Sequence, residues 1–218
     1  YIQSKNKKKI DFIQNKALEL SLFLSLPATI ALLIASEEIT SSLFGYGSFT
    51  ELSVKNSANA LFYFALGLPA FSFIKIFSSF LFARHNTKTP FYFSVTSVII
   101  NIIISIYYFN KIGFIIIPIA TTISSWFNVV ILLIYLTNKK YYLLNLTFIK
   151  SLFKILASTA LTSYIFYNLI NFFSENLSYN SEYKLLSIIL LVIVTFIIYI
   201  LISILTKAFK ISDIKLKY

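Results

Sequence analysis

LLSIILLVIVTFIIYILISILT, residues 185–206, runs for 22 residues without a charged side chain. At about 1.5 Å of rise per residue, a helix of that length covers roughly 33 Å, enough to cross a hydrocarbon layer of about 30 Å. Short of Thr206 at its end, only Ser187, Thr195, Tyr199 and Ser203 interrupt the Ile, Leu, Val and Phe, so the predicted helix faces lipid over most of its circumference. Toward the N-terminus, five more apolar blocks of similar length occupy 17–36, 57–83, 91–109, 114–137 and 152–173. None shows the short alternating pattern of a membrane barrel. The expected fold is all-α: a polytopic membrane protein with six transmembrane helices.

Composition points the same way. The 218 residues are 58% hydrophobic and 12% charged, with mean hydropathy +0.81, too apolar for a domain that must show water a largely polar surface. Cysteine is absent and His85 is the only histidine, which excludes a disulfide framework, a thiolate metal site and a thiol nucleophile. No cofactor-binding pattern is present. The chain opens on Tyr1 and contains no methionine, so the expectation is a piece of a longer protein, and no signal peptide can be read. The net charge of +11 does not gather on one solvated face, as a nucleic-acid surface requires, but sits between the apolar blocks.

The basic residues alternate along the chain. Lys5, Lys7, Lys8, Lys9 and Lys16 precede the first block, and Arg84 and Lys88 follow the second. Lys139, Lys140, Lys150 and Lys154 flank the fourth-to-fifth connection, and Lys207, Lys210, Lys215 and Lys217 follow the sixth. The intervening connections hold only Lys55, Lys111 and Lys184, with Glu37, Glu38, Glu51, Glu175 and Glu182. Lysine and arginine collect in cytoplasmic loops, so both visible ends are expected in the cytoplasm. The connections 37–56, 138–151 and 174–184 are the longest, and none has room for an independent core, which predicts antiparallel neighbours. The 23 Phe and 15 Tyr, many near block ends, read as an interfacial belt and lipid-facing filler.

Polar residues inside the blocks carry the functional signal. Lys75 lies nine residues, about 13 Å of helix, from Arg84. Either its stem snorkels toward the interface or its ammonium meets a polar cavity inside the bundle. Ser72, Ser78 and Ser79 share its helix face. Ser94, Ser97, Asn101 and Ser105 make a second polar stripe, and Thr121, Ser124, Ser125 and Asn128 a third. Such stripes serve as close-packing contacts with interhelical hydrogen bonds, or together line a water-accessible path. The candidate cavity-lining residues are Lys75, Ser72, Ser79, Asn101 and Asn128. Pro27, Pro69 and Pro118 fall within or near blocks, and Gly67-Leu68-Pro69 reads as a hinge.

The stretch Leu43-Phe44-Gly45-Tyr46-Gly47-Ser48-Phe49-Thr50 resembles the LFGxGxFT element of the MurJ/MviN flippase family. Gly67-Leu68-Pro69-Ala70-Phe71, then Lys75, then Phe82-Ala83-Arg84-His85-Asn86-Thr87-Lys88-Thr89-Pro90 resembles that family's GLPAF…K…FYARxDTxTP signature with its spacing intact. Asn101, Gly113 and Trp126-Phe127-Asn128 resemble the pattern that follows. The likeness covers about residues 22–140. One departure is His85-Asn86, where the family usually has Gly, Arg or Gln followed by Asp. Gly45 and Gly47 suit a tight re-entry turn, Thr89-Pro90 a helix start, and Arg84 and Lys88 a cytoplasmic anchor.

The resemblance implies a fourteen-helix protein of the multidrug/oligosaccharidyl-lipid/polysaccharide superfamily, of which this chain holds helices nine to fourteen. It implies translocation of lipid II, the undecaprenyl-linked peptidoglycan precursor, across the bacterial inner membrane by alternating access, coupled to membrane potential or ions. It also implies that the essential cavity arginines and aspartate lie mostly in helices outside this chain. The expected division is 1–16 as a basic cytoplasmic lead-in, 17–137 as four helices of the C-terminal lobe, and 138–218 as the last two helices and a basic tail. The implied partners are the lipid-linked precursor, membrane lipids and the protein's own N-terminal half, with no nucleic acid. A polysaccharide-lipid or drug exporter of the same superfamily and a non-transporting scaffold remain alternatives. A membrane enzyme would need convergent acids, bases or a metal, and no such cluster appears.

Overall fold

The computed structural model describes residues 7–143 and 145–208, apart from the side chain of Lys8. Lys5, Lys210, Lys215 and Lys217 of the basic ends lie outside them. Among the described residues the order is α1 (Lys7–Ile34), α2 (Ser36–Phe44), α3 (Glu51–Ala65), α4 (Leu68–Phe82), α5 (Lys88–Ile112), a 3-10 turn (Gly113–Ile115), α6 (Ile116–Asn138), α7 (Leu146–Phe172), α8 (Ser174–Leu177) and α9 (Lys184–Leu205), with no strand. Ile and Val, which fill α9, are mediocre helix formers in water. In hydrocarbon, a helix is the one local structure that pairs every backbone group within a single segment, and that outweighs propensity.

Three stretches are long and apolar enough to cross a membrane: Lys9–Ile34, Lys88–Asn138 and Lys184–Leu205. The second, 51 residues long, is α5 turned back on itself as α6; these two helices pack against each other. Gly113 makes the reversal at φ 72° and ψ −153°, a region closed to side chains with a Cβ. A further crossing forms if α3 and α4 act as one span, bent by 41° at residues 66–67. That break falls at the predicted hinge. Pro69 has no N–H to offer the carbonyl of Ala65 one turn earlier, and in the same break the carbonyl of Leu66 accepts the indole N–H of Trp126, from α6, at 3.1 Å. α7 spans the fifth predicted block, but Ser158, Thr159, Thr162, Ser163 and Asn168 leave it less apolar than those stretches.

The connections 37–56 and 174–184 are not plain loops. The first carries α2, which buries Thr40, Ser41 and Ser42; the second carries the single turn α8. α1 begins inside the predicted basic lead-in, where Lys16 pairs with Glu19 at 2.9 Å.

The chain divides into two compact units. One is built from Leu66–Ile149 and the chain up to Ser25. Its centre stacks Phe77 and Phe80 around Tyr142, with ring centroids 6.2 and 6.1 Å from the tyrosine. The Tyr142 hydroxyl donates to Asn15 Oδ1 at 3.1 Å, and burial pushes the phenol's pKa up to about 12. The other unit comprises Leu26–Ala65 and the chain from Lys150 on. Ala35, Phe166, Ile170, Leu177, Ile188 and Leu191 form its core. α9 buries Lys184, Ile188, Leu191, Thr195, Tyr199 and Ser203, one narrow stripe at helical spacing, and most of its other large apolar residues are exposed, in keeping with a lipid-facing helix.

Trp126→Phe keeps the ring and removes the donor to Leu66. In the full-length protein in detergent it should destabilise by about 2 kcal/mol, the cost of an orphaned carbonyl in apolar surroundings, read as a lowered thermal midpoint. An unchanged midpoint would show that the carbonyl finds another donor.

Candidate functional site

The signature loop Leu43–Thr50 follows the end of α2. The N–H of Gly45 caps that helix by donating to the Ser41 carbonyl at 2.9 Å, and those of Tyr46 and Phe49 donate to the carbonyls of Phe44 and Tyr46 at 2.7 and 3.1 Å. A Cβ on Gly45 would stand 2.6 Å from the Ser41 carbonyl oxygen and 3.2 Å from the Tyr179 ring, so only glycine allows this approach. Gly47 turns the chain at φ 58°. Thr50 ends the loop by accepting the Ser53 N–H on its hydroxyl at 3.3 Å, which starts α3.

Lys184 holds this loop. Read from sequence as one of the few lysines in a poor connection, it is in fact 2% exposed. Its ammonium donates to the Gly45 carbonyl at 2.6 Å and to the Tyr179 carbonyl at 2.7 Å. It also lies 4.3 Å from the centroid of the Tyr46 ring and 4.8 Å from that of Tyr179. Two carbonyl dipoles and two ring faces here take the place of a counter-ion. The Tyr179 hydroxyl donates to the Phe49 carbonyl at 2.8 Å, the Tyr46 hydroxyl to the Ser42 carbonyl at 2.8 Å, and the Ser42 hydroxyl to the Lys184 carbonyl at 3.2 Å. Phe44 and Phe49 close the loop with centroids 6.3 Å apart. Lys184 and Tyr179 escaped the sequence reading because their partners stand 139 and 130 residues away.

The second signature segment is a helix-to-helix turn. α4 ends with His85 at φ 57°, and the Asn86 N–H returns to the Leu81 carbonyl at 3.0 Å. Asn86 Oδ1 accepts the Thr89 N–H at 3.1 Å, while its amide donates to the Thr89 hydroxyl at 2.9 Å and the Tyr135 hydroxyl at 3.3 Å. The family's aspartate would supply the same acceptor, so the departure at this position keeps the cap and loses the charge. Arg84 donates to the carbonyls of Phe80 at 2.6 Å and Tyr141 at 3.0 Å, and its guanidinium lies 4.6 Å from the Tyr141 ring centroid. Burial lowers its pKa, and the neighbouring Tyr141 opposes that shift. It ties the α4 end to the chain after α6, a bond beyond that of a headgroup anchor. Thr87 flanks α5, which opens at Lys88 with Thr89 and a buried Pro90 in its first turn.

The five candidate cavity residues are carried by three helices, α4, α5 and α6. Lys75 is exposed on α4, Ser72 is half-buried, and the Ser79 hydroxyl donates to the Lys75 carbonyl at 2.8 Å. Asn101 of α5 donates to the Thr121 hydroxyl of α6 at 3.0 Å, and that hydroxyl donates in turn to the Ile117 carbonyl at 2.8 Å. Asn128 is buried with Oδ1 unpartnered. The stripes of α5 and α6 thus meet through one interhelical bond, while most of their hydroxyls serve carbonyls of their own helix.

Lys184→Met keeps an apolar stem between the two tyrosines and deletes the donor to two carbonyls. Hydrogen exchange of the full-length protein should show the amides of residues 45–50 opening at least tenfold faster, with a stability loss of about 3 kcal/mol. Unchanged exchange there would mean the ammonium does not hold the loop.

The family model described as lipid II flippase MurJ matches residues 1–188. A probable lipid II flippase MurJ of Rickettsia prowazekii is 39% identical over 127 residues, 58% of this chain and 25% of that protein. One from Thermotoga maritima is 32% identical over 196 residues, 89% of this chain and 37% of that protein. A solved structure titled lipid II flippase MurJ, inward closed conformation, superposes with a TM-score of 0.73 at 25% identity, covering 94% of this chain and 41% of that one. The chain therefore spans between a quarter and two-fifths of these relatives' length. With the model matched over most of its residues, the chain belongs to the MurJ family of lipid II flippases.

Proposed function

We propose that this chain is the C-terminal part, helices nine to fourteen, of a bacterial inner-membrane protein that flips lipid II by alternating access. The observation that carries the reading is the family match over residues 1–188, with both signature segments in order. Six crossings with cytoplasmic ends have two supports: the alternation of lysine-rich and lysine-poor connections, and the placement of α1, α3 with α4, α5, α6, α7 and α9 over the six apolar blocks. Flipping moves a lipid without making or breaking a covalent bond, so the protein is a transporter and not an enzyme. Its partners are the undecaprenyl-linked precursor, the surrounding lipids and its own N-terminal half.

Lys75, with Ser72 and Ser79 on the same face of α4, is the residue of this chain best suited to line the path. It is the one cation in the middle of an otherwise uncharged helix, and it is exposed on this chain. A cation there is costly against lipid and useful against an anionic headgroup.

The test is complementation of cells depleted of their flippase by the full-length protein. The unmutated protein should restore growth, and no growth at normal protein levels would overturn the flippase reading. Lys75→Ala should lower growth at equal protein level, with Lys75→Arg restoring most of it. Full growth of Lys75→Ala would remove this lysine from the path.

A further inference from the structure

The connection between α1 and α3 is inside out for a segment that meets water. Residues 39–50 carry no charged side chain. Toward the end of α2, Thr40, Ser41 and Ser42 are buried, while Leu43, Phe44 and, in the first turn of α3, Leu52 are 52, 61 and 69% exposed. The backbone follows the same rule. The carbonyls of Ser42, Phe44, Gly45, Tyr46 and Phe49 each accept a bond from within the protein, two from backbone N–H groups and three from the side chains of Tyr46, Lys184 and Tyr179. Water would serve those carbonyls without such arrangements. Hydrocarbon cannot, and a segment that meets it must satisfy its polar groups internally.

The depth of the loop follows from α9. Its 22 residues rise about 33 Å against a hydrocarbon layer of about 30 Å, so Lys184, the first of them, stands at the boundary when α9 crosses. The Ser42 hydroxyl bonds the Lys184 carbonyl at 3.2 Å and the Lys184 ammonium bonds the Gly45 carbonyl at 2.6 Å, which sets the loop at that level. Tyr46 and Tyr183, the latter directly before Lys184, are both exposed, and rings that carry a hydroxyl collect at the membrane surface. α2 packs against α9, whose Leu186 and Ile189 are exposed at this same end. The charge beside Leu52, Glu51, is paired with Lys55 at 3.7 Å.

We infer that Leu43, Phe44 and Leu52 form a lipid-binding surface, seated among the acyl chains just below the headgroups. On the orientation proposed above this is the outer leaflet. The self-satisfied carbonyls favour lipid over a protein partner, which could have supplied donors of its own. Gly45 and Lys184 lie directly behind the seated edge, so the signature loop is held between the bilayer on one side and a buried ammonium on the other. The inference rests on the crossing of α9 and not on the cargo.

The experiment is site-directed spin labelling of the full-length protein in liposomes of phosphatidylethanolamine and phosphatidylglycerol. Leu43→Cys, Phe44→Cys and Leu52→Cys are made singly in a cysteine-free background, and collisions of each label with oxygen, which concentrates in hydrocarbon, are compared with collisions with a water-soluble nickel chelate. Ile193→Cys, in the middle of α9, and Glu175→Cys, in α8, mark the lipid and water limits. The oxygen-to-nickel collision ratio at positions 43, 44 and 52 should be several-fold above that at 175 and below that at 193. A ratio equal to that at 175 would place the surface in water and overturn the proposal. Low collision with both reagents would show it covered by protein, whether the N-terminal half or a second copy, and would overturn it as well. Thermal midpoints keep misfolded variants out of the comparison, and three separately labelled sites, none of them a glycine of the loop or Lys184, leave a reading if one variant is lost. Growth complementation reads the flippase assignment independently, so either can fail alone.

Discussion

A backbone carbonyl buried without a donor is costly, and this chain interrupts its helices several times. At three of these interruptions a side chain distant in sequence brings the N–H. The indole of Trp126 reaches the carbonyl of Leu66 where α3 gives way to α4. Arg84 reaches the carbonyl of Tyr141 in the connection after α6. Lys184 reaches two carbonyls at once, Gly45 at the end of α2 and Tyr179 ahead of α9. The three donors bear long or wide side chains with strong N–H groups, and each spans a gap that no backbone group could close.

The same constraint bears on the residues this chain holds at its signature positions. Gly45 is fixed by the approach of the Ser41 carbonyl and the Tyr179 ring, Trp126 by the open carbonyl beside the glycine-proline hinge, and the acceptor at position 86 by the exposed N–H of Thr89. Asn86 shows what the position demands. An amide oxygen serves as well as a carboxylate for capping α5, so Asn86 keeps the cap geometry without the charge.

The apolar blocks were legible in the sequence because hydrocarbon selects on composition, and composition is local. The predicted 91–109 and 114–137 became Lys88–Ile112 and Ile116–Asn138, and the hinge at Gly67 became a 41° bend. α2 was not legible, since Ser36-Glu37-Glu38 and Thr40-Ser41-Ser42 look like an aqueous connection. The Ser42 hydroxyl finds its partner in the Lys184 carbonyl of α9, and the Ser41 and Ser42 carbonyls find theirs in the loop that follows. Lys184 reads from sequence only as one of three lysines in the lysine-poor connections, because its charge is compensated by carbonyls and rings that no local pattern announces. Polar contacts over a hundred residues apart carry no local signal. The candidate stripes of α5 and α6 were visible by periodicity, but periodicity could not say that Asn101 would meet Thr121.

The polar stripe of α9 has a further consequence. Lipid tails are as apolar as leucine, so burial of Ile and Leu gives little preference for one helix face over another. A helix as uniformly apolar as α9 would rotate freely against its neighbours without some polar register. Lys184 supplies that register at one end, seated on carbonyls and ring faces, and Thr206 supplies it at the other through a 2.8 Å hydroxyl bond to Ser158 of α7. Between them Thr195, Tyr199 and Ser203 keep to the buried face. The rotation of the last helix is thus set by its few polar atoms, and the one at its N-terminal end is the atom that holds the signature loop. A change in the angle of α9 would therefore be felt directly at Gly45.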